Sequence, residues 1–375
     1  METKLTVDAF TTLPTELRVR SLLGEHTRFS DAPEGLLLGV AELDGRTVSF
    51  AATRREMRTG TLGVAECDAL AEHTDRAQRE CDAFVFLVDS AGARLDEGLP
   101  IQGGLRRAMR ALVNADLAGL PTAAVLGRNA FGGASLLAYA LSTQLYSFDT
   151  RMAMTGPRVL QQAGGLSEDA VMAVINGAAR CRQAGHAICE PGTQQAALRG
   201  WLQAPETHSR AGKAELRRRL ELAGLSPLHD DPVLTDSSTL VCQHHLIPGA
   251  ADLLRFADAI ELLRGDATIE VRWSGHSTDL KDEAVVQTEF LAHLCRVLRM
   301  RAQRGEATHL RVHGEISGGL FIALAAGASD VTLGPGGKVL TLPPNALQNI
   351  LKTDADMTTD DGDPLSARAV DHIAK

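Results

Sequence analysis

A duplication restricts the fold of this chain more than any other feature of the sequence. Two Gly-Gly pairs, Gly132-Gly133 and Gly318-Gly319, lie 186 residues apart, and each stands where a strand-like run gives way to an Ala/Leu-rich helix. The same offset lays Ala138-Tyr139-Ala140 on Leu324-Ala325-Ala326 and Pro157 on Pro343. Ahead of the first pair, Phe84 to Val88 reads as a buried strand, Gly104 to Leu117 as a helix and Thr122 to Leu126 as a strand. Ahead of the second, Ile269 to Trp273, Val286 to Arg304 and His309 to Val312 repeat that order. Strands alternating with helices mean an α/β domain, and so long a period means two copies of it, as opposed to a solenoid of short units. A chain of 375 residues holds two cores of somewhat under 200 residues each. The expected domains are 1–235 and 236–375, joined through the charged run Glu215 to Arg219 and the Asp/Ser/Pro-rich stretch from Ser226 to Ser238.

Composition removes several function classes. No apolar run approaches the ~20 residues of a membrane span, and METKLTVDAF lacks a basic region followed by an apolar one, so a cytoplasmic location is expected. The net charge of −9 and the 4% of aromatic residues disfavour nucleic acid, whose phosphates need a basic surface and whose bases need stacking partners. The six cysteines contain no CxxC pair, and no Walker loop or HExxH occurs, so neither a metal site nor a disulfide framework is expected.

Chemistry is expected at the Gly-Gly turns. Without a Cβ, glycine lets a ligand reach the backbone, and a helix starting there directs free N–H groups and a positive dipole at it. Gly132, Gly133, Gly318 and Gly319 are therefore candidate oxyanion donors, with Asn129, Ala134 and Ser317 flanking them as substrate contacts. A further donor set is expected at Ser90, Gly92 and Ala93, which follow a strand whose carboxyl end shares an edge with the first Gly-Gly turn. Arg94 is placed to pair with a substrate carboxylate or with its acidic neighbours Asp96 and Glu97. His276 and His313 sit at strand ends of the second copy, where a proton donor would serve. Arg106, Arg107 and Arg110 on one helix and Arg296, Arg299, Arg301 and Arg304 on its counterpart are read as a basic surface suited to an acidic partner.

Three ordered segments carry a resemblance: Phe84 to Gly98 (FVFLVDSAGARLDEG), Phe131-Gly132-Gly133-Ala134-Ser135, and Met154 to Leu160 (MTGPRVL). They resemble the carboxyltransferase family, which comprises the carboxyltransferase parts of biotin-dependent acyl-CoA carboxylases and the β and γ subunits of biotin-independent malonate decarboxylase. The first half is similar to the β type from about 15 to 200, and the second, from about 245 to 350, to the γ type, with Ser317-Gly318-Gly319 as its landmark. The chain is shorter than a full β plus γ pair and lacks the four-cysteine zinc module of some bacterial members.

The resemblance implies tandem crotonase-like (ClpP/crotonase) domains built from repeated ββα units, each with an oxyanion hole. Gly132 and Gly133, Gly92 and Ala93, and Gly318 and Gly319 match its hole-forming turns. It implies decarboxylation, or carboxyl transfer, of a malonyl thioester through a stabilised thioenolate, with no covalently bound cofactor. The substrate would be a phosphopantetheine-type thioester of acyl carrier protein or CoA, and the assembly a homodimer or larger complex. The alternatives are the carboxyltransferase component of a biotin-dependent acyl-CoA carboxylase and a non-catalytic subunit of such a complex. No biotin-attachment sequence occurs; Met152-Ala153-Met154 lacks the lysine.

Overall fold

The computed structural model describes residues 8–184, 186, 188–205, 212–228, 230–342 and 363–374. Pro343 and the end of the 245–350 segment lie outside them. The first half contributes helices α1 (Ala9–Thr12) and α2 (Thr15–Leu23) and strands β1 (Arg28–Ser30), β2 (Leu36–Leu43), β3 (Arg46–Thr53), β4 (Ala83–Ser90), β5 (Thr122–Phe131), β6 (Thr143–Ser147), β7 (Arg151–Ala153) and β8 (Ile188–Cys189). Its further helices are α3 (Val64–Glu80), α4 (Pro100–Leu117), α5 (Gly133–Ala140), α6 (Pro157–Gly164), α7 (Glu168–Ile175), α8 (Gly177–Ala184), α9 (Gln194–Gln203) and α10 (Lys213–Ala223). The second half has β9 (Val233–Leu234), β10 (Thr239–Val241), β11 (Ala267–Val271), β12 (Thr308–Val312), β13 (Glu315–Ser317), β14 (Asp330–Leu333), β15 (Lys338–Leu340) and β16 (His372–Ile373). Between these run α11 (Ala250–Leu262), α12 (Leu280–Ala284), α13 (Gln287–Gln303) and α14 (Gly318–Gly327).

Two sheets result. The first runs β1-β2-β3-β4-β5-β6-β8, antiparallel through β3 and parallel beyond it, with β7 also pairing β5. The second runs β16-β14-β12-β11-β10-β9 and is parallel except at β9. Every residue of β4 is buried, as a strand covered on both faces requires.

The duplication is visible residue by residue. The far end of β5, Asn129–Phe131, pairs in parallel with Arg151–Ala153. Shifted by 186 residues, it falls on β13, Glu315–Ser317, which pairs in parallel with Lys338–Leu340. A helix then starts at the Gly-Gly step in each half, α5 or α14. One difference from the sequence reading concerns β5, which does not end at Leu126 but continues through Gly127 to Phe131. A Cβ on Gly127 would stand 2.6 Å from the Arg18 guanidinium and 2.7 Å from Asp89. The glycine therefore serves close packing inside a strand, not a turn.

Helices α4 and α5 pack on α13 and α14, and one continuous apolar core joins both halves. Helix α14, GGLFIALAAG, is buried on every side, as its lack of any polar face demands. The arginines read as a basic surface are instead bonded within the chain, and Arg106, Arg110, Arg296 and Arg299 cross this junction. Arg106 is buried, donates to the carbonyls of Ala325 and Ala369, and pairs with Asp371. Arg110 donates to the carbonyls of Ala325, Ala326 and Ala328, and Arg107 pairs with Asp68. From the other side Arg296 reaches Asp116 and the Ala140 carbonyl, Arg299 reaches Asn114, and Arg301 donates to the carbonyls of Leu263 and Gly265. Of the set, Arg304 is half exposed, paired with Glu306. For Arg106 and Arg110 the physical reason is that α14 ends in open carbonyls, which attract a cation. Arg219 of the expected linker is likewise buried, paired with Glu289 at 2.6 Å. Among the described residues no helix is long and apolar enough to cross a membrane.

Candidate active site

The two Gly-Gly turns open into one cavity of about 470 Å³, mostly apolar, at the junction of the halves. Gly132 has φ +55° and Gly318 has φ +59°, a left-handed conformation that side chains resist, and each turns the chain from strand into helix. The first-turn N–H groups of α5 and α14 have no acceptor within their helices, and no side chain caps either end. Both N-termini thus bring donors and positive dipole to the same space.

The loop after β4 supplies a third edge. Gly92, at φ +117°, gives its N–H to the Ser90 hydroxyl at 3.0 Å. Ala93 keeps an N–H without an acceptor among the described residues, because Leu62 bonds its neighbours, Gly92 through its carbonyl and Arg94 through its N–H. Arg94 lies in the wall but is occupied, 3.0 Å from both Glu66 and Glu97 and 3.1 Å from the Thr61 carbonyl. It pairs with its neighbours, one of the two options its sequence context offered. Arg58, at the mouth, is paired with Asp96.

From the second half His276 faces Gly318, its Cε1 3.1 Å from where a Cβ would stand. Burial pushes its pKa down to about 4, so the imidazole is neutral near pH 7. The Ser317 hydroxyl donates to the Ser274 carbonyl at 3.2 Å.

Of the residues expected at the site, the fold gathers Gly92, Ala93, Arg94, Gly132, Gly133, His276, Ser317, Gly318 and Gly319 around this cavity. Ser90, Asn129, Ala134 and His313 do not line it. Ser90 is a buried brace for Gly92, and Asn129 gives its N–H to Asp89. Ala134 lies inside α5, while the His313 ring packs on Gly334, 3.7 Å from Glu270. Sequence reasoning missed Gln102, Leu105, Met154 and Thr155, which complete the wall. Gln102 and Leu105 are three apart on α4, a spacing that places them on one face. Gln102 donates to the Thr341 carbonyl at 2.7 Å. It also missed Glu283, whose carboxylate accepts the N–H groups of Met154 at 3.3 Å and Thr155 at 3.1 Å.

Comparison with known proteins agrees with this architecture. Residues 3–203 match the carboxyl transferase domain family. A segment of 132 residues is 30% identical to the propionyl-CoA carboxylase carboxyltransferase subunit of Haloferax mediterranei, covering 35% of this chain and 26% of that one. Another of 146 residues is 27% identical to the methylmalonyl-CoA carboxyltransferase 12S subunit of Propionibacterium freudenreichii subsp. shermanii, covering 39% and 27%. The matched segments span about a quarter of the length of these relatives. Among solved structures, a Pseudomonas malonate decarboxylase hetero-tetramer in complex with malonate superposes with a TM-score of 0.50 and 19% identity, over 62% of this chain and 95% of that one. That likeness is one of fold, and the fold is the expected α/β crotonase-like type.

Proposed function

This chain belongs to the carboxyl transferase domain family, and from that premise we propose that it decarboxylates a malonyl thioester. The reading rests on the shared apolar cavity into which two uncapped helix N-termini open. The thioester carbonyl oxygen lies against the N–H groups of Gly133 and Ala93, and the carboxylate lies toward Gly318 and Gly319. Arg94, the arginine buried in the wall, is taken up by Glu66 and Glu97, and Arg58 stands largely exposed at the mouth beside Asp96. A carboxylate held by weak dipoles in an apolar space is costly to keep charged there. Breaking its bond to the α-carbon releases carbon dioxide and passes the electron pair to the thioester oxygen, where the N–H donors stabilise the thioenolate. Protonation of the α-carbon by water then gives the acetyl thioester.

The thioester arm is of the phosphopantetheine type, carried by CoA or by an acyl carrier protein. The junction arginines no longer favour the carrier over CoA, because they are bonded within the chain. We assign residues 1–235 to the β-type domain and 236–375 to the γ-type, in a cytoplasmic homodimer or larger complex. A second reading is carboxyl transfer from a biotin held by a partner. What favours it is the matched pair of helix N-termini, able to hold two oxyanions at once, together with the carboxyltransferase subunits among the relatives.

The test is turnover of malonyl-CoA and of malonyl carrier protein by the purified chain, with and without avidin. Release of carbon dioxide and acetyl thioester, unchanged by avidin, is expected. Avidin-sensitive activity moves the chain to the biotin-dependent reaction, and no turnover on either substrate makes it a non-catalytic subunit.

A further inference from the structure

One wall of the cavity runs through Met154, Thr155 and Gly156, with Met154 beside both Gly-Gly turns, and its anchor comes from the other half of the chain. We propose that Glu283, held by Arg180, is a positioning residue that sets this wall against the two helix N-termini; the catalytic part of the proposal rests on the site described above.

The geometry is closed on all sides. Glu283 sits on the short helix α12 and accepts the N–H groups of Met154 at 3.3 Å through Oε1 and of Thr155 at 3.1 Å through Oε2. Arg180 of α8 donates to Glu283 Oε1 at 2.6 Å and to the Met152 carbonyl at 2.9 Å, and also reaches the Glu283 main-chain carbonyl. Both side chains are shut off from solvent, Arg180 at 0% and Glu283 at 1% exposure. The segment they hold touches each turn. The Ala153 carbonyl accepts the Gly132 N–H at 3.1 Å, and the Met154 thioether lies where a Cβ on Gly319 would meet it at 2.7 to 2.9 Å. A shift of the wall therefore moves both sets of oxyanion donors together.

A mere packing contact would not need such a charged arrangement. A buried ion pair gives little net stability against an apolar pair of similar volume, so its presence here calls for another use. The backbone next to it is also strained. Val286, fully buried, has φ +66°, a conformation that β-branched residues rarely adopt and that persists where surrounding structure enforces it. The Val286 N–H bonds the Glu283 carbonyl at 2.9 Å, so the strained step and the clamp are one unit.

The experiment uses the full chain with Arg180→Met and Glu283→Gln combined, which removes both charges at once and avoids leaving one buried alone. The double variant is expected to fold, to lose about 100-fold in kcat through misplacement on the order of 1 Å, and to keep KM within about twofold, the pattern of a lost transition-state contact. Hydrogen exchange at the Met154 and Thr155 amides should quicken in it while the core strand β4 stays protected. Glu283→Asp, which keeps the charge but reaches less far, should fall between the two. A folded double variant with wild-type kcat and unchanged exchange at these two amides overturns the proposal. Should the double variant not fold, wild-type kcat and exchange in Glu283→Asp overturn it equally. If the wild-type chain does not turn over malonyl thioesters, the activity is refuted, and the exchange readout still decides whether the clamp sets the wall.

Discussion

Replacing Gly133 with valine separates a catalytic role of its N–H from a packing role. A Cβ at this position stands 2.8 and 3.0 Å from the two methyl carbons of Leu105, so the leucine must move and valine adds further bulk. Overpacking of this kind costs about 1–3 kcal/mol. For a protein stable by at least about 5 kcal/mol, the remaining 2 kcal/mol leaves only about 3% of molecules unfolded. Loss or misdirection of one oxyanion donor costs about 3–4 kcal/mol in the transition state, or roughly 100- to 1,000-fold in kcat. The rate loss should thus exceed what unfolding can produce by more than an order of magnitude. Single-turnover decarboxylation of malonyl-CoA, beside a urea melt of the same preparation, measures both. Gly318→Ala, which forces a side chain into φ +59° against His276, provides the comparison from the second half. A Gly133→Val protein that melts like the parent and turns over at the parent rate would refute the placement of the thioester oxygen at α5.

Two further outcomes follow from the electrostatics. Arg106→Glu should abolish folding or cost about 3–5 kcal/mol, because it strands the carbonyl of Ala369 and sets a buried carboxylate beside Asp371. Arg304→Glu, in a half-exposed pair, should cost less than about 1 kcal/mol, and equal melting of the two variants would contradict the buried junction. His276 and His293 are both held to about pKa 4 by burial, below the ordinary value near 6.5. The unfolded chain takes up protons there that the folded chain refuses, so stability is full above about pH 6.5 and falls as pH drops toward 4. The urea midpoint should therefore fall between pH 7 and pH 5, by less in a His276→Gln, His293→Gln protein; identical slopes in both proteins would exclude these histidines as the cause.

Much of the fold was legible because its signals are local. The helix read from Gly104 to Leu117 is Pro100–Leu117, and the strand read from Phe84 to Val88 extends by one residue before it and two after it. The Gly-Gly turns were legible because a strand can pass into a helix there only through a conformation that glycine accepts. Gly127 misled for a related reason: glycine also marks close approach, and sequence alone does not say whether the neighbour is a ligand, a turn or the Arg18–Asp89 pair. The arginines of α4 and α13 misled because their spacing describes one helix face and says nothing of what that face meets. Glu283 gave no signal at all, since its partners Arg180, Met154 and Thr155 lie more than 100 residues away in the chain.

The distribution of charge at the junction bears on how the two halves come to line one cavity. Two duplicated domains with apolar faces alone could slide past each other, because apolar contact is not directional. Here the faces are apolar, but direction is supplied by Arg106, Arg110, Arg296 and Arg180, each reaching an acceptor in the other half. Arg110 illustrates the tension: burial, and then the nearby Arg106 and Arg299, lower its pKa to about 10, yet it stays charged near neutral pH because that value still lies well above 7. A guanidinium forced to remain charged and buried must find acceptors at fixed angles. The alignment of α4 on the end of α14 offers them, through the carbonyls of Ala325, Ala326 and Ala328. That alignment also brings Gly133 and Gly319 to the same cavity, so the polar junction sets the relative position of the two helix N-termini on which the proposed chemistry depends.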